Sequence, residues 1–326
     1  MSQHRSIPRP GSGRIALALL AVVPAAMAYP WHSTRSYWLL GIAAVVVIVL
    51  FGWWNGLHFS TIARRWLAMM SRRGRPVPET DCETRVTALL RIGPPASDLN
   101  VLPLPLIARY LNRYGIRADS IRITNHDSDV RETWIGLTVS AIDNLKALQG
   151  RSSSIPLHET AQVAARRLAD HLREIGWEAS TVGPDDIPRL LSSASGETWH
   201  GVRQNSNYLA AYRVSANGAL PEVVQAIRSN PALETWTALE IARSGGHETV
   251  AVAVAFLTDA QPTGAAPLSG LTGQGGNHLP ALLAMDLLST QRLDGHTEVP
   301  GDLLTRLNWP TPEPGAHRAP LKHEVV

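Results

Sequence analysis

The chain holds a single cysteine, Cys82, in 326 residues. One thiol can build neither a disulfide framework nor a thiolate metal site. Charge is also scarce, at 17% of residues. That is below the roughly 25% of ordinary soluble proteins and hints at a membrane segment. The formal net charge is only +3, whereas nucleic-acid binders carry a clustered basic face. No G-x-x-x-x-G-K-[ST] loop is present, which argues against an ATPase. H-E-x-x-H and G-x-S-x-G are missing too. The twelve histidines are scattered, and none has another at i+3 or i+4.

Apolar residues are concentrated near the start. Residues 15–29 (IALALLAVVPAAMAY) and 37–54 (YWLLGIAAVVVIVLFGWW) carry no charge. About 20 such residues span a hydrocarbon core of about 30 Å, so the expectation is a two-helix transmembrane hairpin over residues 14–59. Arg5, Arg9 and Arg14 precede it, and Arg64, Arg65, Arg72, Arg73 and Arg75 follow it, against Arg35 alone in the connection. The positive-inside rule then places both termini in the cytoplasm of a two-span inner-membrane protein. A competing reading takes the first run, ending Ala26-Met27-Ala28, as a cleaved signal peptide. Residues 61–70 (TIARRWLAMM) interleave apolar residues with arginines, suiting a juxtamembrane helix on anionic lipid or against a neighbouring subunit.

Beyond Pro76 and Pro78 the periodicity changes. Residues 85–92, 120–124 and 133–140 read as strands, and 104–114 reads as a helix stopped by Gly115. A second set follows: strands at 209–215, 235–242 and 248–257, and a helix at 220–228 with Pro221 in its first turn. Both halves therefore run strand, helix, strand, strand, a loose internal duplication. Glu-Thr-Trp recurs at 132–134, 197–199 and 234–236. Between the halves, residues 157–175 form the strongest helix, with Ala161, Ala164, Leu168, Leu172 and Ile175 as its apolar stripe. Arg166 and Arg167 lie off that stripe, on a solvated face or a partner or lipid contact. A short helix is expected at 281–288.

Three segments invite a chemical reading. Asn125-His126-Asp127-Ser128-Asp129 could ligate a metal, but Asx residues also favour turns for backbone reasons. Gly270-x-x-Gly273-x-Gly275-Gly276-Asn277 precedes a helix, where backbone N–H groups attract phosphate. It lacks a lysine and reads better as a loop. Asp185-Asp186 could act as paired carboxylates, yet they sit in a Gly-Pro turn. Cys82 has no neighbouring histidine and is not read as a nucleophile. No catalytic, cofactor-binding or metal-binding residue is assigned.

Several stretches carry a family resemblance: LFGWWNGLHFSTIARRWLAM, LNRYGIRADSIRITNHD, the long run RETWIGLTVSAIDNLKALQGRSSSIPLHETAQVAARRLADHLREIGW, and ETWTALE, APLSGLTG and LSTQRLDG. The chain resembles EccE, a membrane subunit of the type VII (ESX) secretion machinery, over residues 14–299. It is most like the ESX paralogue linked to iron and zinc acquisition. The resemblance implies a non-enzymatic core component beside EccB, EccC and EccD, with ATP-driven work belonging to EccC. It implies no cofactor, no nucleic acid and no small-molecule substrate, and contact with inner-membrane lipids.

The expected fold is α+β. A cytoplasmic arm (1–13) leads into the hairpin (14–59), a juxtamembrane helix and linker (60–79), a mixed-sheet cytoplasmic domain (80–299) and a disordered tail (300–326). The alternatives are a membrane-tethered, glycosyltransferase-like enzyme and a cytoplasmic ligand-sensing module.

Overall fold

The computed structural model describes residues 12–27, 29, 34–51, 53–54, 57–72, 84–95, 101–150, 156–183, 186–192 and 195–312. The chain divides into two compact units, Met1–Arg73 and Gly74–Val326.

Among the described residues the first unit contains three helices: α1 (Ser12–Met27), α2 (Thr34–Phe51) and α3 (Phe59–Arg72). α1 and α2 pack together, with Ala18, Ala25 and Ala43 as their buried residues. The transmembrane hairpin is not upheld: no helix among the described residues is long and apolar enough to cross a membrane. The reason lies in where the helices begin and end. α1 has 16 residues and contains Pro24. α2 has 18 residues but opens on Thr34-Arg35-Ser36. Its uncharged stretch from Tyr37 to Phe51 rises only about 22 Å, short of a core about 30 Å thick. The apolar run counted in the sequence continued to Trp54. The helix instead stops at Phe51, and Trp53–Trp54 pairs antiparallel with Leu57–His58. The two-span inner-membrane localisation is corrected on the same ground. α3 is a separate helix after this hairpin and buries none of its side chains.

The second unit is built on strands β1 (Arg85–Pro95), β2 (Ile116–Asp127), β3 (Arg131–Ser140), β4 (Trp177–Thr181), β5 (Asn207–Val214), β6 (Glu234–Ser244) and β7 (His247–Thr258). Its main helices are α4 (Ala141–Gln149), α5 (Leu157–Glu174), α6 (Leu220–Arg228) and α7 (His278–Met285). The strands form one sheet in the order β4-β1-β3-β2-β6-β7-β5, extended by Val202–Gln204 and Gly196–Glu197. Every ladder in it is antiparallel, so the expected mixed sheet is corrected. Tight connections, residues 128–130 between β2 and β3 and Gly245-Gly246 between β6 and β7, can join only antiparallel neighbours.

The two strand–helix–strand–strand halves share this sheet. In each half the third strand lies between the first and the second: β1-β3-β2, then β6-β7-β5. The halves meet where β2 pairs with β6, so the strand order mirrors itself about that seam. Side chains alternate across it. Ile121, Ile123, Leu239 and Ile241 face a layer that includes α5, α6 and a short helix, Leu104–Ala108. Ala238, Ala251, Trp134 and Trp236 face α7 and residues around Leu190. α5 presents Ala161, Ala165, Leu168 and Leu172 to the sheet. Fully burying a leucine there contributes about 1.5–3 kcal/mol.

Two of the Glu-Thr-Trp segments use one device. Glu132 and Trp134 project on the same side of β3; Arg91 pairs in register with Trp134, lies over its ring at 5.6 Å and donates to Glu132 at 2.7 Å. Glu234 and Trp236 repeat this on β6. His126 pairs with Trp236, stacks on its ring at 4.0 Å and contacts Glu234 at 3.0 Å. In both, the side chain opposite the tryptophan is held by the acid two residues earlier.

The segment after residue 300, expected as a tail, is packed as far as residue 312. Leu303 and Leu304 sit on a short helix, Leu303–Arg306, and Trp309 is 1% exposed. Residues 313–326 lie outside the described residues.

Candidate functional site

A dense polar cluster of the second unit is buried at the β2–β6 seam. Arg122 and Glu240 are register partners, 5% and 0% exposed. Arg122 Nη2 and Nε donate to Glu240 Oε2 at 2.6 and 3.0 Å. A segment following α7 closes over them. Arg122 also donates to the carbonyls of Asp286, Ser289 and Gln291. Glu240 Oε1 accepts from the Leu293 N–H at 3.3 Å and from His296 Nε2 at 2.9 Å. His296 Nδ1 lies 3.1 Å from Thr249 Oγ1. Arg292 anchors the rim by donating to Asp119 Oδ1 at 2.7 Å.

Electrostatics differ between Glu240 and the half-buried Asp286. Burial pushes the Glu240 carboxyl up, but Arg122 and His296 more than offset it, and its pKa is lowered. Burial raises Asp286, with the Leu288 N–H and Arg122 opposing only in part. A Glu–His–Thr chain beside an arginine resembles a proton relay on paper. Here each member is bonded to its neighbours and Glu240 has no exposed surface, so the cluster fastens the two half-sheets.

The residues singled out from sequence fall elsewhere. Asn125 is buried in β2 rather than in a turn. Its Oδ1 accepts from Thr133 and from the Trp309 indole, and its Nδ2 donates to the Pro310 carbonyl. His126 is taken up by Trp236 and Glu234, and Asp127 by Arg131. Ser128 bonds the Val130 carbonyl. No group of three His, Cys, Asp or Glu is placed to share a metal among the described residues. The glycine-rich segment is not an open cradle. Gly276 has φ +66°, and a Cβ there would overlap the Trp199 ring. The amide of Leu279, in the first turn of α7, donates to Glu197 Oε1 at 3.1 Å. A side chain of this protein thus occupies the place where an anion would bind. Asp186 is an exposed turn residue. Asp185 and Cys82 lie outside the described residues.

Comparison with known proteins decides the family. The model described as "Putative type VII ESX secretion system translocon, EccE" matches residues 128–214. The ESX-3 secretion system protein EccE3 of Mycobacterium tuberculosis is 64% identical over 323 residues, 97% of each chain. That of Mycolicibacterium smegmatis is 47% identical over 291 residues, 89% of this chain and 92% of its own. The chain belongs to the EccE family. It is thereby a type VII secretion component, most like the ESX-3 paralogue, the iron- and zinc-related one.

The stretch LSTQRLDG, which helped to carry the EccE resemblance, is the segment that closes over Arg122 and Glu240. Sequence reasoning missed the cluster itself. Its one available signal was a charged residue between apolar neighbours in each of two strands, Arg122 between Ile121 and Ile123 and Glu240 between Leu239 and Ile241.

Proposed function

We propose that this EccE protein is a non-catalytic structural subunit of the ESX secretion complex, supporting assembly or stability of its EccB, EccC and EccD core. The observation that carries this reading is the end-to-end similarity to proteins named for that secretion system. The sealed seam agrees with it. Buried charge pairs add little net stability but can specify one arrangement of the halves. A two-half sheet with helices packed on it is a body for making contacts.

Complementation tests this. Removing the chain from its cell is expected to lower both secretion and the amount of assembled complex. Reintroducing the chain carrying Asp185→Ala with Asp186→Ala is expected to restore both to wild-type level. Loss of secretion with the complex intact would point instead to an enzyme using those carboxylates.

A further inference from the structure

A surface far in sequence from the seam residues of β6 shows a construction that packing does not require. Asn112–Arg113 pairs with Arg117 and Ile116 in a tight hairpin, so Tyr114-Gly115 is its two-residue loop. Both loop residues have positive φ, +55° and +74°. Such loops favour Asn-Gly or Gly-Gly, and an aromatic residue there is strained. Strain retained in a fold clusters at functional sites. The strained conformation holds the Tyr114 ring 55% exposed.

Two arginines flank the ring. Arg113 lies 5.1 Å from its centroid and Arg167, on α5, lies 4.8 Å from it. Arg113 also covers Tyr110 at 4.9 Å. The Tyr110 hydroxyl donates to the Arg167 carbonyl at 3.1 Å, which ties the helical turn just before the hairpin to α5. Neither guanidinium pairs with a carboxylate among the described residues, whereas Arg173 on the same helix pairs with Asp170. Arg113 Nη1 lies 3.4 Å from His171 Nδ1; a guanidinium stacked on a ring leaves its remaining in-plane N–H groups available to an acceptor. Between the rings and α5 lies a shallow groove bordered by Val163, itself 39% exposed.

Resting on the secretion-subunit reading, we propose that Arg113, Tyr114 and Arg167 form a docking surface for an acidic segment of another subunit. An aspartate or glutamate of that segment meets the two guanidiniums, and an adjoining apolar side chain covers Val163. Tyrosine and arginine are the residue types that dominate protein–protein contacts energetically. A flat anionic lipid surface fits less well. Asp170 and Glu174 are exposed on the same helix and would be pressed against like charge. Lipid recognition by electrostatics also draws on clusters of four to eight basic residues.

The test compares the tagged full-length wild type with the Arg113→Glu/Arg167→Glu variant, both isolated from native cells, with subunits quantified by mass spectrometry. Recovery of at least one subunit is expected to fall about tenfold or more on reversing both charges, with the thermal melt unchanged. A photo-crosslinking residue in place of Tyr114 is expected to capture a carboxylate-rich segment of that same subunit. Equal recovery from wild type and variant overturns the docking surface while leaving the subunit reading intact. Absence of secretion subunits from the wild type itself overturns the subunit reading. Unchanged recovery together with loss of binding to anionic vesicles assigns the patch to lipid and also overturns the proposal. Should the variant melt early, the Tyr114 crosslink decides alone, and capture of no subunit overturns it.

Discussion

Arg122→Met is expected to destabilise the Gly74–Val326 unit by about 3–5 kcal/mol, because it leaves Glu240 charged, buried and without its counter-ion. The side chain is 5% exposed, and its partner has no exposed surface, so water cannot replace the lost contact. The carbonyls of Asp286, Ser289 and Gln291 lose a donor at the same time. The double variant Arg122→Met/Glu240→Leu is expected to recover part of that loss, since an apolar pair can replace a buried ion pair at little net cost. The three carbonyls keep the recovery incomplete. Chemical denaturation of the four proteins in a mutant cycle measures the coupling; strictly additive single-variant effects would show that the pair does not act as a unit.

The same residue sets a pH dependence. Glu240 has a folded pKa below its ordinary value. A depressed acid contributes stability that is fully present above its unfolded pKa, about 4.3, and is lost as pH falls through the folded value. Asp286 acts oppositely, since its raised pKa makes protonation favour the folded state. Whole-protein acid unfolding therefore mixes the two signs. Comparing wild type with Glu240→Gln isolates one: the stability gap between them is expected to narrow as pH falls below about 4.5. A gap independent of pH from 7 to 3 would contradict the Glu240 account.

Trp309→Ala is expected to cost about 3–5 kcal/mol, the usual range for removing a fully buried large aromatic side chain. Trp309 is 1% exposed, packs in the same core as Leu303 and Ile123, and donates its indole N–H to Asn125 Oδ1 at 3.1 Å. Trp309→Phe keeps most of the area and loses the hydrogen bond, at about 1 kcal/mol. Read by composition alone, this region is a tail, and a tail would tolerate both changes. Thermal melts of the two variants separate the views, and unshifted melting of Trp309→Ala would sink the packed one.

Much of the sheet was legible in the sequence because an antiparallel strand with two buried faces still alternates large and small. Val250, Val252, Val254 and Phe256 on β7 mark it, with Ala251, Ala253 and Ala255 on the other side. The duplicated element order was legible for the same reason. What was missed depends on contacts distant along the chain. Asn125 and His126 looked like a turn because Trp309, Pro310 and Glu234, which hold them in the strand, lie over a hundred residues away. The cover over Arg122 and Glu240 comes from residues 286–296, with no local periodicity to announce it. α4 escaped because its apolar residues mislead: Ile142 is 76% exposed, while Asn144 is buried and bonded to the backbone of Arg117. Ser140 as N-cap, Asp143 in the first turn and Gly150 at the end were its readable signals. The membrane hairpin failed because apolar composition ran across positions where the helices begin and stop.

As a type VII secretion component, this EccE protein is expected to work as a part and not alone. Gentle extraction of the tagged full-length chain from its own cells, followed by size fractionation and identification of bound proteins, tests it most directly. The chain is expected to migrate far above its monomer or dimer, together with other ESX secretion subunits including the ATPase. A stable free monomer or homodimer carrying no secretion subunit would contradict it.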